Sequence, residues 1–331
     1  MPAYGLSFGV SPREPFSRIV SLVWQAEDAG FDAVWVIDSQ LIMKDAYLTL
    51  ALCAEQTRRI KLGTGVTNPV TRHPTVIANA FAGLRELSDG RALLGIGAGD
   101  SAVFSLGLRP AKLATVEATI CAIRALHAGE ETEIDGNRIR LSTARGPVPI
   151  FLAASQPKML ALAGRLADGV IVMGPSDEAF AGEQLAAVRA AAAAAGRPAG
   201  EPFVDLWATV SMSGDRQRTL DDVKSWASAQ ARWLNQFASL PPSLERFRGE
   251  LRRADEEYDF QQHLAVRAEH RTAVSDELAA ALAITGDASA VADRLGSLLR
   301  LQPDRLTLTL LSGGREARLK AFADELLPRL A

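Results

Sequence analysis

Short, wholly apolar runs that alternate with helix-period stretches constrain this chain more than any other feature. Residues 33–37 (Ala-Val-Trp-Val-Ile) and 92–96 (Ala-Leu-Leu-Gly-Ile) are such runs. A strand that is apolar on both sides of its pleat must be covered on both faces, as in a parallel sheet wrapped by helices. Between the runs fall stretches with apolar residues three and four apart. Residues 15–29 carry Phe16, Ile19, Val20, Val23, Trp24, Ala26 and Ala29 at that spacing, and Gly30 stops the helix. The same rhythm predicts further strands at 4–10, 60–64, 148–153, 169–173, 203–211 and 305–310. It predicts further helices over 45–56, 74–87, 158–167, 178–195, 288–299 and 315–327.

Eight strands with intervening helices in 331 residues suit a closed α/β architecture, a (β/α)8 TIM barrel, better than an open sheet. We expect one barrel domain over residues 1–331. Two stretches break the alternation. Residues 132–141, with Asp135-Gly136-Asn137 at the tip, read as a β-hairpin. Residues 220–283, between the seventh and eighth strands, read as a charged helical insertion, because one βα connection needs far fewer residues. Such an insertion is placed to cover the barrel mouth or to carry an oligomer interface.

Charge and cysteine usage exclude several classes. With 36 basic and 39 acidic residues the net charge is −3, which offers no electrostatic case for nucleic acid or an anionic membrane. Cys53 and Cys121 form no Cys-x-x-Cys pair, so neither a zinc site nor a redox disulfide is read, and a reducing cytoplasm is expected. The N-terminal residues lack a basic segment followed by an apolar one, and no apolar run reaches about 18 residues, so neither a secretory signal nor a membrane span is expected. A small-molecule substrate remains.

In α/β barrels ligands bind beyond the C-terminal ends of the strands. The third strand breaks at Gly65 and delivers Thr67, Asn68, Thr71 and Arg72 just past its end, before Pro74 opens a helix. Trp35-Val-Ile-Asp-Ser39 puts Asp38 at the mouth, either as a catalytic or substrate-binding carboxylate or as a loop cap. Gly95-Ile-Gly-Ala-Gly-Asp-Ser101 lets backbone approach a ligand closely. It is not a dinucleotide fingerprint, because Asp100 stands where the last glycine is required. Ser155 reads as an N-cap with Pro157 in the first turn. The exposed amides there and Lys158 suit a phosphate, although capping beside a solvated lysine accounts for the same residues. His263 and His270 lie seven residues apart on one helical face but have no third ligand, so no metal site is read.

Taken together, several motifs carry a resemblance. Ala26-Glu-Asp-Ala-Gly-Phe-Asp-Ala-Val-Trp-Val-Ile-Asp38, Leu62-Gly-Thr-Gly-Val-Thr-Asn-Pro-Val-Thr-Arg-His-Pro74 and Leu87-Ser-Asp-Gly-Arg-Ala-Leu-Leu-Gly-Ile-Gly-Ala-Gly-Asp100 occur in that order. Ala153-Ala-Ser-Gln-Pro-Lys-Met159, Ala167-Asp-Gly-Val-Ile-Val172 and Ile284-Thr-Gly-Asp287 follow. The pattern resembles the bacterial luciferase-like superfamily of flavin- and deazaflavin-dependent oxidoreductases, nearest its methylenetetrahydromethanopterin reductase-like branch. The likeness is weakest across 220–283.

The resemblance implies a (β/α)8 barrel with a flavin or deazaflavin at its C-terminal mouth. It maps a strand-end bulge with a non-proline cis peptide onto Gly65 and Val66, which would back the ring, with Thr67 just beyond. It maps Ala98, Gly99 and Asp100 to the ring or its ribityl chain, and Ser155, Gln156 and Lys158 to the phosphate, with Met173 and Gly174 nearby. Asp38 and Asn68 are the candidate catalytic residues. Many deazaflavin-dependent relatives carry histidine after the second-strand aspartate, where this chain has Ser39. The expected activity is hydride transfer to or from a small organic substrate using coenzyme F420. The alternatives are an FMN-dependent monooxygenase using reduced flavin and dioxygen, and a flavin-binding barrel without catalysis. The resemblance also implies a homodimer and a separate reductase supplying reduced cofactor.

Overall fold

The computed structural model describes residues 3–174 and 176–330. Eight parallel strands close a barrel: Ala3–Phe8, Ala33–Val36, Lys61–Thr64, Ala92–Ile96, Ile150–Ala154, Gly169–Met173, Phe203–Met212 and Arg305–Thr309. Each pairs in parallel with the next, and the eighth pairs with both the seventh and the first. Helices fill the connections on the outside, among them Phe16–Asp28, Ala46–Gln56, Pro74–Leu87, Leu113–His127, Pro157–Leu166, Glu178–Ala194 and Ala288–Leu299.

Strand alternation divides the apolar residues into two cores. On the seventh strand Leu206, Ala208 and Val210 point outward to the helices, while Trp207 points in. The inward set of Ala33, Trp35, Leu93, Phe151, Ile171 and Trp207 plugs the barrel. Trp35 is its centre, edge-on to Phe151 at 5.3 Å and tilted against Trp207 at 6.0 Å. Gly63 makes room for it: a Cβ there would lie 2.4 Å from the Trp35 ring. Toward the strands' N-terminal ends the plug rests on a buried ion network. Arg305 donates to Asp205 and Asp32 at 3.0 and 2.9 Å, and Asp205 also accepts from Trp35 and Thr307 at 3.0 and 2.6 Å.

The hairpin forms as Thr132–Ile134 against Asn137–Ile139. Its turn residues Asp135 and Gly136 both have positive φ, 51° and 75°, as a tight two-residue hairpin turn requires. The stretch between the seventh and eighth strands holds the helices Arg216–Leu234, Pro242–Glu245, Arg248–Glu256 and Asp276–Leu282 and two 3-10 turns, Phe260–Gln262 and Glu269–Ala273. Leu220, Val223, Ala227, Ala231 and Leu234 lie at helical spacing and are buried in a cluster of their own with Leu251 and Leu278. Two expectations are corrected. His263 and His270 do not share a helix face: the first follows one 3-10 turn and the second lies in the other, and both rings lie against Tyr258. The helix expected over 315–327 is interrupted, because Phe322–Leu326 winds as a π-helix between Arg315–Ala321 and Leu327–Leu330.

Candidate active site

At the mouth the barrel plug ends in an open ledge. Met173 lies two residues beyond Ile171 on the same inward face of the sixth strand, yet it is 42% exposed. Val66 and Ala153 rest on the plug at the same end of the barrel and are also partly open. Gly97 faces this ledge, and a Cβ there would sit 3.1 Å from Val66 Cγ2 and 3.6 Å from Ala153 Cβ. The absence of a side chain at Gly97 thus lets the fourth-strand backbone pack directly against these two apolar residues.

The third strand reaches the ledge through a bulge. Its ladder stops at Thr64, skips Gly65 and Val66, and resumes where Thr67 bridges Ile96. The Gly65–Val66 peptide is cis, as the resemblance implied. Thr67 N–H donates to Gly95 O, and Gly97 N–H donates to Thr67 O, both at 2.9 Å. Asn68 Oδ1 accepts from the Val70 and Thr71 amides at 3.0 and 2.9 Å, which fixes the tight turn after the bulge.

Asp38 stands at the end of the second strand, as expected, but its carboxylate is fully engaged. Arg72 donates to both of its oxygens, at 3.0 and 3.1 Å, and Thr67 Oγ1 donates at 2.8 Å. Only 4% of Asp38 is exposed. Tyr47 donates to Thr67 at 2.9 Å, and the Arg72 guanidinium lies 4.0 Å over the Tyr47 ring. Burial pushes the Tyr47 phenol well above its usual pKa, so it stays a donor. Tyr47 and Arg72 are therefore site residues that sequence reasoning did not assign. Arg72 carried a signal, since it lies in the polar run past the third strand. Tyr47 sits inside an ordinary helix and carried none.

The fourth-strand loop turns on Gly99, whose φ of +100° is open to glycine and costly for other residues. Asp100 Oδ1 accepts from Arg232 Nη2 at 2.5 Å, an ion pair to the insertion. Ser39 and Ser101 hydroxyls hydrogen-bond each other, and Gln40 Nε2 donates to Ala102 O at 2.9 Å, joining the second and fourth loops.

At the fifth strand the helix Pro157–Leu166 begins from Gln156, and no side chain caps it. This corrects the reading of Ser155 as the N-cap. Ser155 Oγ instead accepts from Trp233 Nε1 at 3.1 Å. Lys158 is exposed in the first turn. The uncapped amides and this lysine make an electropositive helix start. Gly174 follows Met173, and a Cβ on it would meet the Phe180 ring at 2.9 Å. Among the described residues no group of three or more His, Cys, Asp or Glu side chains could hold a metal ion, and no helix is long and apolar enough to cross a membrane.

The luciferase-like monooxygenase family model matches residues 4–305. A 5,10-methylenetetrahydromethanopterin reductase from Methanolobus tindarius is 40% identical over 221 residues, covering 63% of this chain and 67% of that protein. An F420-dependent glucose-6-phosphate dehydrogenase from Nakamurella multipartita is 33% identical over 232 residues, covering 64% and 68%. The solved structure of the coenzyme F420-dependent tetrahydromethanopterin reductase from Methanopyrus kandleri matches with a TM-score of 0.80 at 24% identity, over 100% of this chain and 99% of that one.

Proposed function

The chain belongs to the luciferase-like monooxygenase family, and on that premise we propose that it is a coenzyme F420-dependent oxidoreductase, moving a hydride to or from a small organic substrate at the barrel mouth. The observation that carries this reading is the open apolar ledge of Val66, Ala153 and Met173 above a filled barrel interior, a surface suited to the flat face of a ring. The F420-dependent activity named for a relative 33% identical to this chain supports the choice of ring. When bound, the deazaflavin supplies a ring carbon that accepts or gives up the hydride.

The protein's own residues orient that step. Gly65 and Val66 would back one ring face, leaving the other to the substrate. The backbone at Ala98, Gly99 and Asp100 can come close to the ring edge or ribityl chain, because Gly97 and Gly99 carry no side chain. Ser155, Gln156 and Lys158, with the free amides of the helix start, would hold the phosphate. Met173 and Gly174 would border the ring. Asn68 has its carbonyl oxygen committed to the turn, so its side-chain N–H groups are what it offers to a ring edge or a substrate carbonyl. Asp38, with both oxygens engaged, acts by holding Arg72 and Thr67 in place beside the reacting groups.

We assign the protein to a reducing cytoplasm, which suits its two free cysteines, Cys53 and Cys121, with reduced cofactor supplied by a separate reductase. A homodimer is supported by Leu48, Leu52 and Val76, apolar side chains exposed on neighbouring helices. Side-by-side titration with F420 and FMN tests the central reading. We expect F420 to bind at least about tenfold tighter, a difference of roughly 1.4 kcal/mol. Tighter binding of FMN would instead support reduced-flavin oxygen chemistry.

A further inference from the structure

The helix Arg216–Leu234 opens the insertion and ends over the barrel mouth. Side chains near its C-terminal end reach the seventh strand and the loops after the fourth and fifth strands. Gln230 Nε2 donates to Thr209 Oγ1 at 3.1 Å, Arg232 Nη2 to Asp100 Oδ1 at 2.5 Å, and Trp233 Nε1 to Ser155 Oγ at 3.1 Å. Asp100 and Ser155 are two of the residues assigned above to the cofactor.

The donors are firmly held, and the side chains they reach are not otherwise tied within their own loops. Arg232 is 3% exposed and lies among the rings of Phe104, Tyr258 and Phe260, at 5.6, 5.2 and 5.0 Å from their centroids. Trp233 is edge-on to Phe180 and Phe237, at 6.0 and 4.9 Å. The helix itself is anchored by its row of buried apolar residues from Leu220 to Leu234. By contrast, residues 97–100 hold two glycines and are tied through their backbone, as by Gly97 N–H to Thr67 O and Ala111 N–H to Ala98 O, and the turn into Pro157–Leu166 has no side-chain cap. Side-chain bonds made to such segments from outside then help to set where Asp100 and Ser155 stand.

We propose that the last turn of this helix, through Arg232 and Trp233, positions the two cofactor-binding loops, so that the insertion is part of the cofactor site. The identity of the ligand rests on the F420 reading; the positioning does not. Arg232 and Trp233 act through Asp100 and Ser155. A loop held in its binding geometry before the ligand arrives spares the ligand the cost of ordering it.

Trp233→Phe keeps the ring packing and removes only the N–H donor. Titration with F420 should show a dissociation constant raised about three- to tenfold, the range for one hydrogen bond. Ser155→Ala should abolish any further effect of Trp233→Phe, because the two act as one unit. In the ligand-free protein, hydrogen exchange should quicken in Trp233→Phe at the Met159 and Leu160 amides, which donate to Gln156 O at 2.9 Å. In Arg232→Gln it should quicken at the Val103 and Phe104 amides, which donate to Asp100 O at 2.8 and 2.9 Å. Arg232→Lys, which keeps the charge, should restore part of the protection.

Exchange that is unchanged in both variants, or affinity losses that multiply in the Trp233→Phe/Ser155→Ala pair, would overturn the proposal. If the wild-type protein prefers FMN while the exchange pattern appears as expected, the F420 reading fails and the positioning stands. If F420 binds tightly to wild type and Trp233→Phe alike with unchanged exchange, the positioning fails and the F420 reading stands.

Discussion

Replacing Arg305 with methionine tests how the barrel interior is held. Arg305 is 1% exposed and Asp205 is fully buried, and they meet at 3.0 Å. Methionine keeps most of the volume but leaves the Asp205 carboxylate with only the neutral donors Trp35 and Thr307. Removing one partner of such a buried pair costs about 3–5 kcal/mol. For 331 residues the unfolding entropy is roughly 0.7 kcal/mol per degree, so Tm should fall by about 4–7 °C. Asp205→Asn should cost less, about 1–2 kcal/mol, because Arg305 keeps its pairing with Asp32. The double variant Arg305→Met/Asp205→Leu should recover part of the loss, since a neutral apolar pair leaves no buried charge. The pH dependence has a definite sign. Burial already raises the Asp205 pKa, against the pull of Arg305. Without Arg305 it rises further, so the folded state takes up a proton that the unfolded carboxyl, near its usual value of about 3.9, does not. The deficit of Arg305→Met relative to wild type should therefore shrink as pH falls from 7 toward about 4. Chemical denaturation followed by circular dichroism at several pH values reads all of these. Additive losses in the double variant, or a deficit that widens in acid, would refute the reasoning. Cofactor affinity should stay within about twofold, because the network lies at the opposite end of the barrel from the mouth.

Other perturbations separate the parts of the site. Gly97→Leu places a side chain against Val66, 3.1 Å from the new Cβ, so titration should show cofactor affinity reduced at least about tenfold, roughly 1.4 kcal/mol. Unchanged affinity would mean that the ring does not lie on the ledge. Lys158→Ala should weaken binding of the intact cofactor by about 1–1.5 kcal/mol, the low end for a charge-assisted contact of an exposed lysine, and barely alter binding of a dephosphorylated analogue. Equal losses for both ligands would remove Lys158 from the phosphate. Asp38→Asn should lower kcat/KM about tenfold, roughly 1.4 kcal/mol, with cofactor affinity within a few-fold; full turnover with a genuine substrate would reduce Asp38 to a loop-bracing residue. Glu27 loses some preference for its charged form through burial, but the Arg58, Arg59 and Ile60 amides that it accepts outweigh this and hold its pKa below the usual carboxylate range. Its stabilisation is present at neutral pH and is lost as pH falls below about 4, so Glu27→Gln should destabilise by about 1–3 kcal/mol at pH 7 and progressively less in acid, as thermal melts would show.

The sequence by itself determined the elements and the order in which they close. Residues 74–87, 169–173 and 288–299 form as their periodicity predicts, because a covered strand must be apolar on both faces and an outer helix on one. The hairpin was legible for a local reason too, since Asp135-Gly136 tolerates the positive φ that its turn requires. The strand ends that deliver Asp38, Asn68, Asp100 and Ser155 to the mouth follow from the same pattern. What these side chains touch did not. Ser155 follows the local rule for an N-cap, but its oxygen goes to Trp233, 78 residues away. Asp38 reads as a mouth carboxylate, ligand-binding or loop-capping, until barrel closure brings Arg72, 34 residues on, against it. Asp100 meets its partner Arg232 across 132 residues. Periodicity records only which face of an element is covered. Which donor reaches which acceptor depends on distances of a few tenths of an ångström between chain segments far apart in sequence, and those exist only once the barrel has closed and the insertion has settled on it.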